Sequence, residues 1–283
     1  MKNIALVDET FDINITGSYH LSVELCQEGI SYVVMDTVRK KYIALKTVLF
    51  EKSHPSTVED QVLRMFKTDN YLIQKYKSSA LIYPSPDFAL VPDPLFDPAK
   101  SEELFCFSNQ LPKGYEIRVN AIPCVEAKIL YALPGKITDS VKINPNNFKI
   151  FHQACPLIER AHLETLGKSS EPLVFVQIFK NFFDIIVFRN GKFELYNTFS
   201  YKTDEDLIFY VLYVYEQFGL DPGKVNLSMC GHIDKKSELV EKLSQFLSKI
   251  NYLAFGRNFA YSYTFGQLNQ YYYANLINLY PCV

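Results

Sequence analysis

The sequence predicts an α/β fold made of two consecutive halves, each reading strand, strand, strand, helix, strand. Three observations carry this. Residues 173–233 hold three strand-like runs, a capped helix and a closing strand. Residues 20–83 run through the same order at similar spacing. In both, the helix opens with a hydroxyl residue followed by acids, Ser56 to Glu59 and Thr203 to Asp206. The likeness is one of pattern and not of identity.

The later copy is the clearer. Residues 173–179 form an apolar run rich in β-branched and aromatic side chains, as a buried strand requires. Residues 184–189 and 192–196 flank Asn190-Gly191. A type I′ turn needs positive φ at both central residues, which makes Asn-Gly a strong hairpin signal. Behind Thr203, the side chains Leu207, Val211, Val214 and Phe218 share one helical face, and Gly219 and Pro222 end the helix. Residues 225–230 are the closing strand, ended by Gly231.

In the earlier copy, residues 1–18 read as an irregular lead-in, followed by strands at 20–25, 30–36 and 41–50. Ser56 with Glu59 reads as a capping box, and Val58, Val62, Leu63 and Phe66 line the helix behind it. Residues 80–83 are a strand stopped by Pro84 and Pro86. An inserted α+β segment follows at about 88–147: strands at 88–91, 115–120 and 127–132, a helix at 98–107 and a turn at 144–147. A strand at 148–152 and a helix at 156–166 lead to Gly167-Lys168-Ser169-Ser170, the best linker. The expected domains are therefore 1–168, which contains the insert, and 169–283. The tail reads as a helix at 235–250, a strand at 251–255 and a Tyr-rich helix at 265–280.

Composition narrows the function classes. With 48% hydrophobic and 21% charged residues over 283 positions, the chain is globular. A net charge of −2, from 29 Lys+Arg and 31 Asp+Glu, gives no basic face for nucleic acid. No stretch reaches the roughly 20 apolar residues of a membrane span, and the first residues do not read as a signal peptide. The expected location is cytoplasmic, with no direct membrane insertion. The six cysteines form no Cys-x-x-Cys pair and read as free thiols. The 20 Tyr are expected to cover core edges with their hydroxyls at water. There is no Walker loop, no Gly-x-Ser-x-Gly and no His-Glu-x-x-His.

Two such halves resemble the ribonuclease-H-like duplication of actin-like ATPases. The stretch Asp184-Ile185-Ile186-Val187-Phe188-Arg189-Asn190-Gly191-Lys192, with Asp204-Glu205-Asp206-Leu207 behind it, is similar to the second half of pilus-assembly actin-like proteins. The chain also resembles an uncharacterised Bacteroidetes domain-of-unknown-function family placed in this fold. The residues carrying that match are Phe199-Ser200-Tyr201, Glu216-Gln217-Phe218-Gly219-Leu220-Asp221-Pro222 and Leu95-Phe96-Asp97-Pro98. The resemblance covers nearly the whole chain and implies a fold, since function lives in sites.

The resemblance also implies where a nucleotide site would lie. Active members carry a Gly-containing turn after the first strand of each half, so that backbone amides approach phosphate, with a carboxylate nearby for Mg²⁺. The matching turn of the first half is Cys26-Gln27-Glu28-Gly29, after Glu24. In the second half it is Lys180-Asn181-Phe182-Phe183, with no Gly, no carboxylate and two rings where phosphate should pass. The adenosine loop, which usually has paired glycines, keeps only Gly231. The site candidates are thus Glu24, Glu28, Gly29, Lys180, Asn181 and Gly231, with no catalytic residue and no metal site. Read without the resemblance, Glu24 and Glu28 are solvated strand-end acids and Lys180 is a surface charge.

The function expected from this is a non-catalytic actin-like scaffold with a degenerate nucleotide cleft and no cofactor. It would act on a protein partner, a membrane-associated assembly being one form, with Tyr271-Tyr272-Tyr273 as an interface. The alternative is an ATPase-like protein whose altered site binds a nucleotide, as ATP with Mg²⁺, or another small ligand.

Overall fold

The computed structural model describes residues 3–26, 28–50, 57–166, 171–256 and 258–283. Gln27, Ser56 and the linker residues 167–170, all singled out above, lie outside these. The chain divides into two compact units. One takes residues 1–153, 256–268 and 279–283; the other takes 154–255 and 269–278. By packing, the first unit's leading segment ends at Gln153, and the tail contributes to both units.

In the first unit, β1 (Ile4–Val7), β2 (Tyr19–Cys26), β3 (Gly29–Asp36), β4 (Lys41–Leu49), β5 (Ser78–Tyr83) and β9 (Lys149–His152) make one sheet, ordered β1-β4-β3-β2-β5-β9. β15 (Ala260–Tyr261) also pairs with β4. β3 is antiparallel to β2 and β4, whereas β5 runs parallel to β2 and β9 parallel to β5. The lead-in is therefore not irregular throughout. Its short apolar run finds the open edge of β4, a pairing no local signal announces.

Helix α1 (Val58–Thr68) starts one residue later than expected. Thr57 is the cap, and Asp60 completes the box. It buries Val62 and Phe66 and leaves Val58 exposed. The helix stops at Asp69, whose carboxylate accepts from the amides of Tyr71 (2.9 Å) and Leu72 (3.3 Å), the Tyr32 hydroxyl (2.7 Å) and Lys46 (2.6 Å). Burial alone would raise its pKa, but these donors outweigh burial and hold it below the usual range.

Residues 88–134 make a separate antiparallel sheet of β6 (Phe88–Pro92), β7 (Tyr115–Ile122) and β8 (Ala127–Pro134), ordered β6-β8-β7. Phe105, on α2 (Ser101–Cys106), packs with Val91 and Leu130. Tyr131, Leu133 and Ile137 join the main core of the unit, the last from α3 (Gly135–Lys142).

In the second unit, β10 (Leu173–Ile178), β11 (Phe182–Arg189), β12 (Lys192–Ser200), β13 (Leu227–Gly231) and β14 (Ile250–Tyr252) are ordered β12-β11-β10-β13-β14. The first three strands are antiparallel and the last two run parallel to β10. Asn190 (φ 52°) and Gly191 (φ 71°) take the expected left-handed turn. Helix α4 (Ala154–Thr165) starts two residues before its proline and packs on β10 and β11. Helix α5 (Asp204–Gln217) is capped by Thr203 with Asp206, and Gly219 (φ 59°) ends it.

Two expected helices are shorter. The first is α6 (Glu238–Leu243) only. The Ser244 hydroxyl donates to the Val240 carbonyl at its end, and Ile250 is taken by pairing with Leu227. The Tyr-rich tail is a series of 3₁₀ turns around α7 (Ala274–Ile277). Leu268 and Asn269 are extended, which breaks the helix near Gly266, a weak helix former.

The tyrosines also depart from expectation. Tyr19, Tyr32, Tyr42, Tyr131 and Tyr215 are among the largest fully buried side chains. Protein acceptors replace water: the Tyr131 hydroxyl donates to Ile150 O (3.2 Å) and that of Tyr215 to Val225 O (3.2 Å).

Two buried histidines make the first unit acid-sensitive. Burial lowers the pKa of His20 to about 3. Burial also lowers that of His152 to about 3, against the opposing hydrogen bond to Ser85 O. Both are neutral in the fold, whereas the unfolded rings protonate near 6.5. Their stability contribution is full above that value and is lost as the pH falls toward 3, at about 1.4 kcal/mol per pH unit for each ring. Urea unfolding between pH 7 and 4 should show this decline, and His152→Gln should reduce its slope.

Candidate functional site

Ligands of open α/β sheets bind outside the carboxyl ends of parallel strands. Here these are the ends of β2, β5 and β9 in one unit, and of β10, β13 and β14 in the other.

In the first unit the β2–β3 hairpin sets Glu24 opposite Ser31 and Cys26 opposite Gly29. Glu24 is buried, not solvated, and Glu28 is half-buried. Burial first, then the charges of Glu24 and Glu28, push the Cys26 thiol up, so it is no thiolate nucleophile. Gly29 serves the sheet: a Cβ there would lie 2.4 Å from the Val48 carbonyl oxygen. At the ends of β5 and β9, Gln153 embraces the backbone of Ser85, accepting from its amide (3.0 Å) and donating to its carbonyl (2.9 Å). His152 Nε2 shares that carbonyl at 2.9 Å, which requires the proton on Nε2.

In the second unit the turn after β10 is closed. Phe179 donates its amide to Phe182 O (2.9 Å), and Tyr201 donates its amide to Asn181 O (3.1 Å) and its hydroxyl to Phe179 O (2.6 Å). The Phe179 and Phe182 rings stack at 4.4 Å and are buried. Phe183, expected beside Phe182, lies on the other face against Phe199 and Tyr201, because neighbouring strand residues alternate. Lys180 and Asn181 are exposed at the tip.

Gly231 sits next to this turn. Its φ is 89°, and a Cβ would lie 2.3 Å from Ile178 O and 2.9 Å from Ile178 N. His232 then donates its amide to Ile178 O at 2.7 Å. The His232 ring stacks on Tyr272 at 4.8 Å with 8° between the planes. Lys235 Nζ lies 4.6 Å from the Tyr252 ring and 5.0 Å from that of Tyr271. Tyr271 and Tyr273 are buried and only Tyr272 is half-buried, so the three do not form an exposed surface.

A polar row crosses each sheet at matching places. In the first unit Glu24 faces Ser31, which faces Thr47, with the two hydroxyls 2.9 Å apart. In the second, Gln177 faces Asp184, which faces Thr198, and the Thr198 hydroxyl donates to Asp184 at 2.6 Å. Asp184 is fully buried. Burial, then its negative charge, hold the Tyr196 hydroxyl protonated for a hydrogen bond to it. Sequence reasoning missed this row. The signal was there: Gln177 and Asp184 interrupt apolar runs, where a polar side chain is uncommon. Among the described residues, no three His, Cys, Asp or Glu side chains converge as metal ligands.

A family model matches residues 8–250. The chain belongs to the family described as "Protein of unknown function (DUF3822)". No curated protein matches this family member. A Bacteroides thetaiotaomicron protein, described as having an actin-like ATPase fold and unknown function, is similar at 20% identity and TM-score 0.77, over 86% of this chain and 94% of that one. A PilM–PilN type IV pilus biogenesis complex is similar at 9% identity and TM-score 0.65, over 92% and 96%. The ethanolamine utilization protein EutJ from Carboxydothermus hydrogenoformans matches at 11% and TM-score 0.51, over 96% and 91%. The fold of this DUF3822 chain is thus that of the actin-like ATPases. No helix among its described residues is long and apolar enough to cross a membrane.

Gly231→Ala should destabilise the protein by about 3 kcal/mol or more, combining left-handed strain with a clash on the Ile178 backbone. Urea unfolding measures it. Gly191→Ala, where a Cβ meets nothing within 4 Å, should cost less.

Proposed function

We propose that this is a non-catalytic actin-like protein that acts by binding a protein partner. The observation that carries the reading is the closed turn at Phe179–Phe182. Phosphate binding needs amides that point outward past small residues. Here the Phe179 amide is committed to the turn, and the rings of Phe179 and Phe182 stack on each other. The two glycines that could admit phosphate, Gly29 and Gly231, are both required by strand packing. The chain reads as two copies of one βββαβ unit, 1–168 with an insert at about 88–147, and 169–283. The matching strand orders and polar rows support that reading.

The partner is a protein, and the pilus complex suggests one form: a short cytoplasmic peptide of a membrane-associated assembly. A second reading, an altered small-ligand site, has in its favour the exposed Lys180 and Asn181 beside the Gly231 loop of the second unit.

Titration calorimetry with ATP, with and without Mg²⁺, decides between them. No heat of binding is expected. Micromolar binding with Mg²⁺-dependent turnover would overturn the proposal, and binding without turnover would favour the second reading.

A further inference from the structure

Strand β12 is the edge of the second unit's sheet, and among the described residues nothing pairs with its outer side. Proteins usually blunt such edges with charge, proline or a bulge. Here those devices sit at one end only: Lys192, Glu194, and a register shift where β12 faces Val187/Phe188. From Leu195 to Tyr201 the edge reads Leu-Tyr-Asn-Thr-Phe-Ser-Tyr, with no charge, glycine or proline. That composition is the signature of a pairing strand.

The direction of the free backbone groups follows from one bond. Tyr201 donates its amide inward, to Asn181 O. Antiparallel ladders alternate, so Tyr196, Thr198 and Ser200 turn their N–H and C=O groups outward. We propose that this edge binds a second copy of itself, antiparallel, about a two-fold axis at Thr198.

The register makes the stretch self-complementary. Tyr196 meets Ser200, Thr198 meets Thr198, Asn197 meets Phe199 and Leu195 meets Tyr201. Every outward residue of the uncharged stretch is used, no like charges oppose, and Glu194 falls just outside it. A two-fold contact needs one patch that complements itself. A second feature continues from the same strand. Phe199 stacks on Tyr210 (4.6 Å), Tyr210 meets Phe209 edge-on (5.4 Å), and Phe209 stacks on Tyr213 (6.2 Å). This chain of rings leads from the edge onto α5, where Phe209 is 63% and Tyr213 44% exposed. Exposed aromatics of this kind are enriched in interfaces.

The inference is independent of whether the nucleotide turn is closed. Sedimentation velocity of the whole chain, over a concentration series, should show a monomer–dimer equilibrium. Ser200→Pro removes only an outward N–H, which an edge strand tolerates. It should weaken dimerisation at least about tenfold with the unfolding midpoint unchanged. Phe209→Lys with Tyr213→Lys, both on the surface, should weaken it as well, and serves if the proline variant does not fold. A chain that stays monomeric throughout, or a dimer indifferent to both variants, overturns the proposal.

Discussion

The close approach of Gly231 to the backbone of Ile178 is the constraint around which the second unit is built. β10 is bonded on both sides, antiparallel to β11 and parallel to β13. Where β13 ends, its last residue presses on the strand with no room for a side chain. The His232 amide then closes onto the same Ile178 carbonyl. This clamps the end of β10 and leaves the Phe179–Phe182 turn to be sealed by its own rings and by Tyr201. The glycine is spent on holding strands together, which is why its presence in the loop is no sign of phosphate binding.

A parallel logic holds in the first unit. Gly29 is needed beneath the Val48 carbonyl, and the buried acid Glu24 sits in a row with Ser31 and Thr47. Each sheet thus keeps one carboxylate in a buried polar row, Glu24 in one and Asp184 in the other. Such groups are costly to bury without donors. Asp184 has hydroxyl donors in Thr198 and Tyr196.

The aromatic content is a structural device as much as a surface one. Tyr hydroxyls are held inside by backbone carbonyls and by Asp69. Rings cap the carboxyl ends of the second sheet, where His232 stacks on Tyr272 and Lys235 lies over the rings of Tyr252 and Tyr271. The carboxyl ends of β10 and β13, where open α/β sheets receive ligands, are here lined with the protein's own side chains.

Strand and helix identity were legible where local chemistry dictates them. Asn190-Gly191 demanded its turn, Thr203 with Asp206 capped α5, and the apolar run at 173–178 paired on both edges. The Phe182–Phe183 pair was half-legible: the rings were visible in the sequence, but strand alternation sends Phe183 to the opposite face. The order of residues by itself determined the strand, strand, strand, helix, strand run at 173–233, the absence of a glycine at Lys180–Phe183 and the lack of charge along Leu195–Tyr201; that this last stretch is a sheet edge came from the pairing. Only the tertiary structure decided that Ile4–Val7 form β1, that the Tyr-rich tail breaks into turns packed on β13, and that Gly231 is a packing glycine. The reason is physical: each of these depends on a partner distant in sequence, and no local propensity encodes the distance between two backbones.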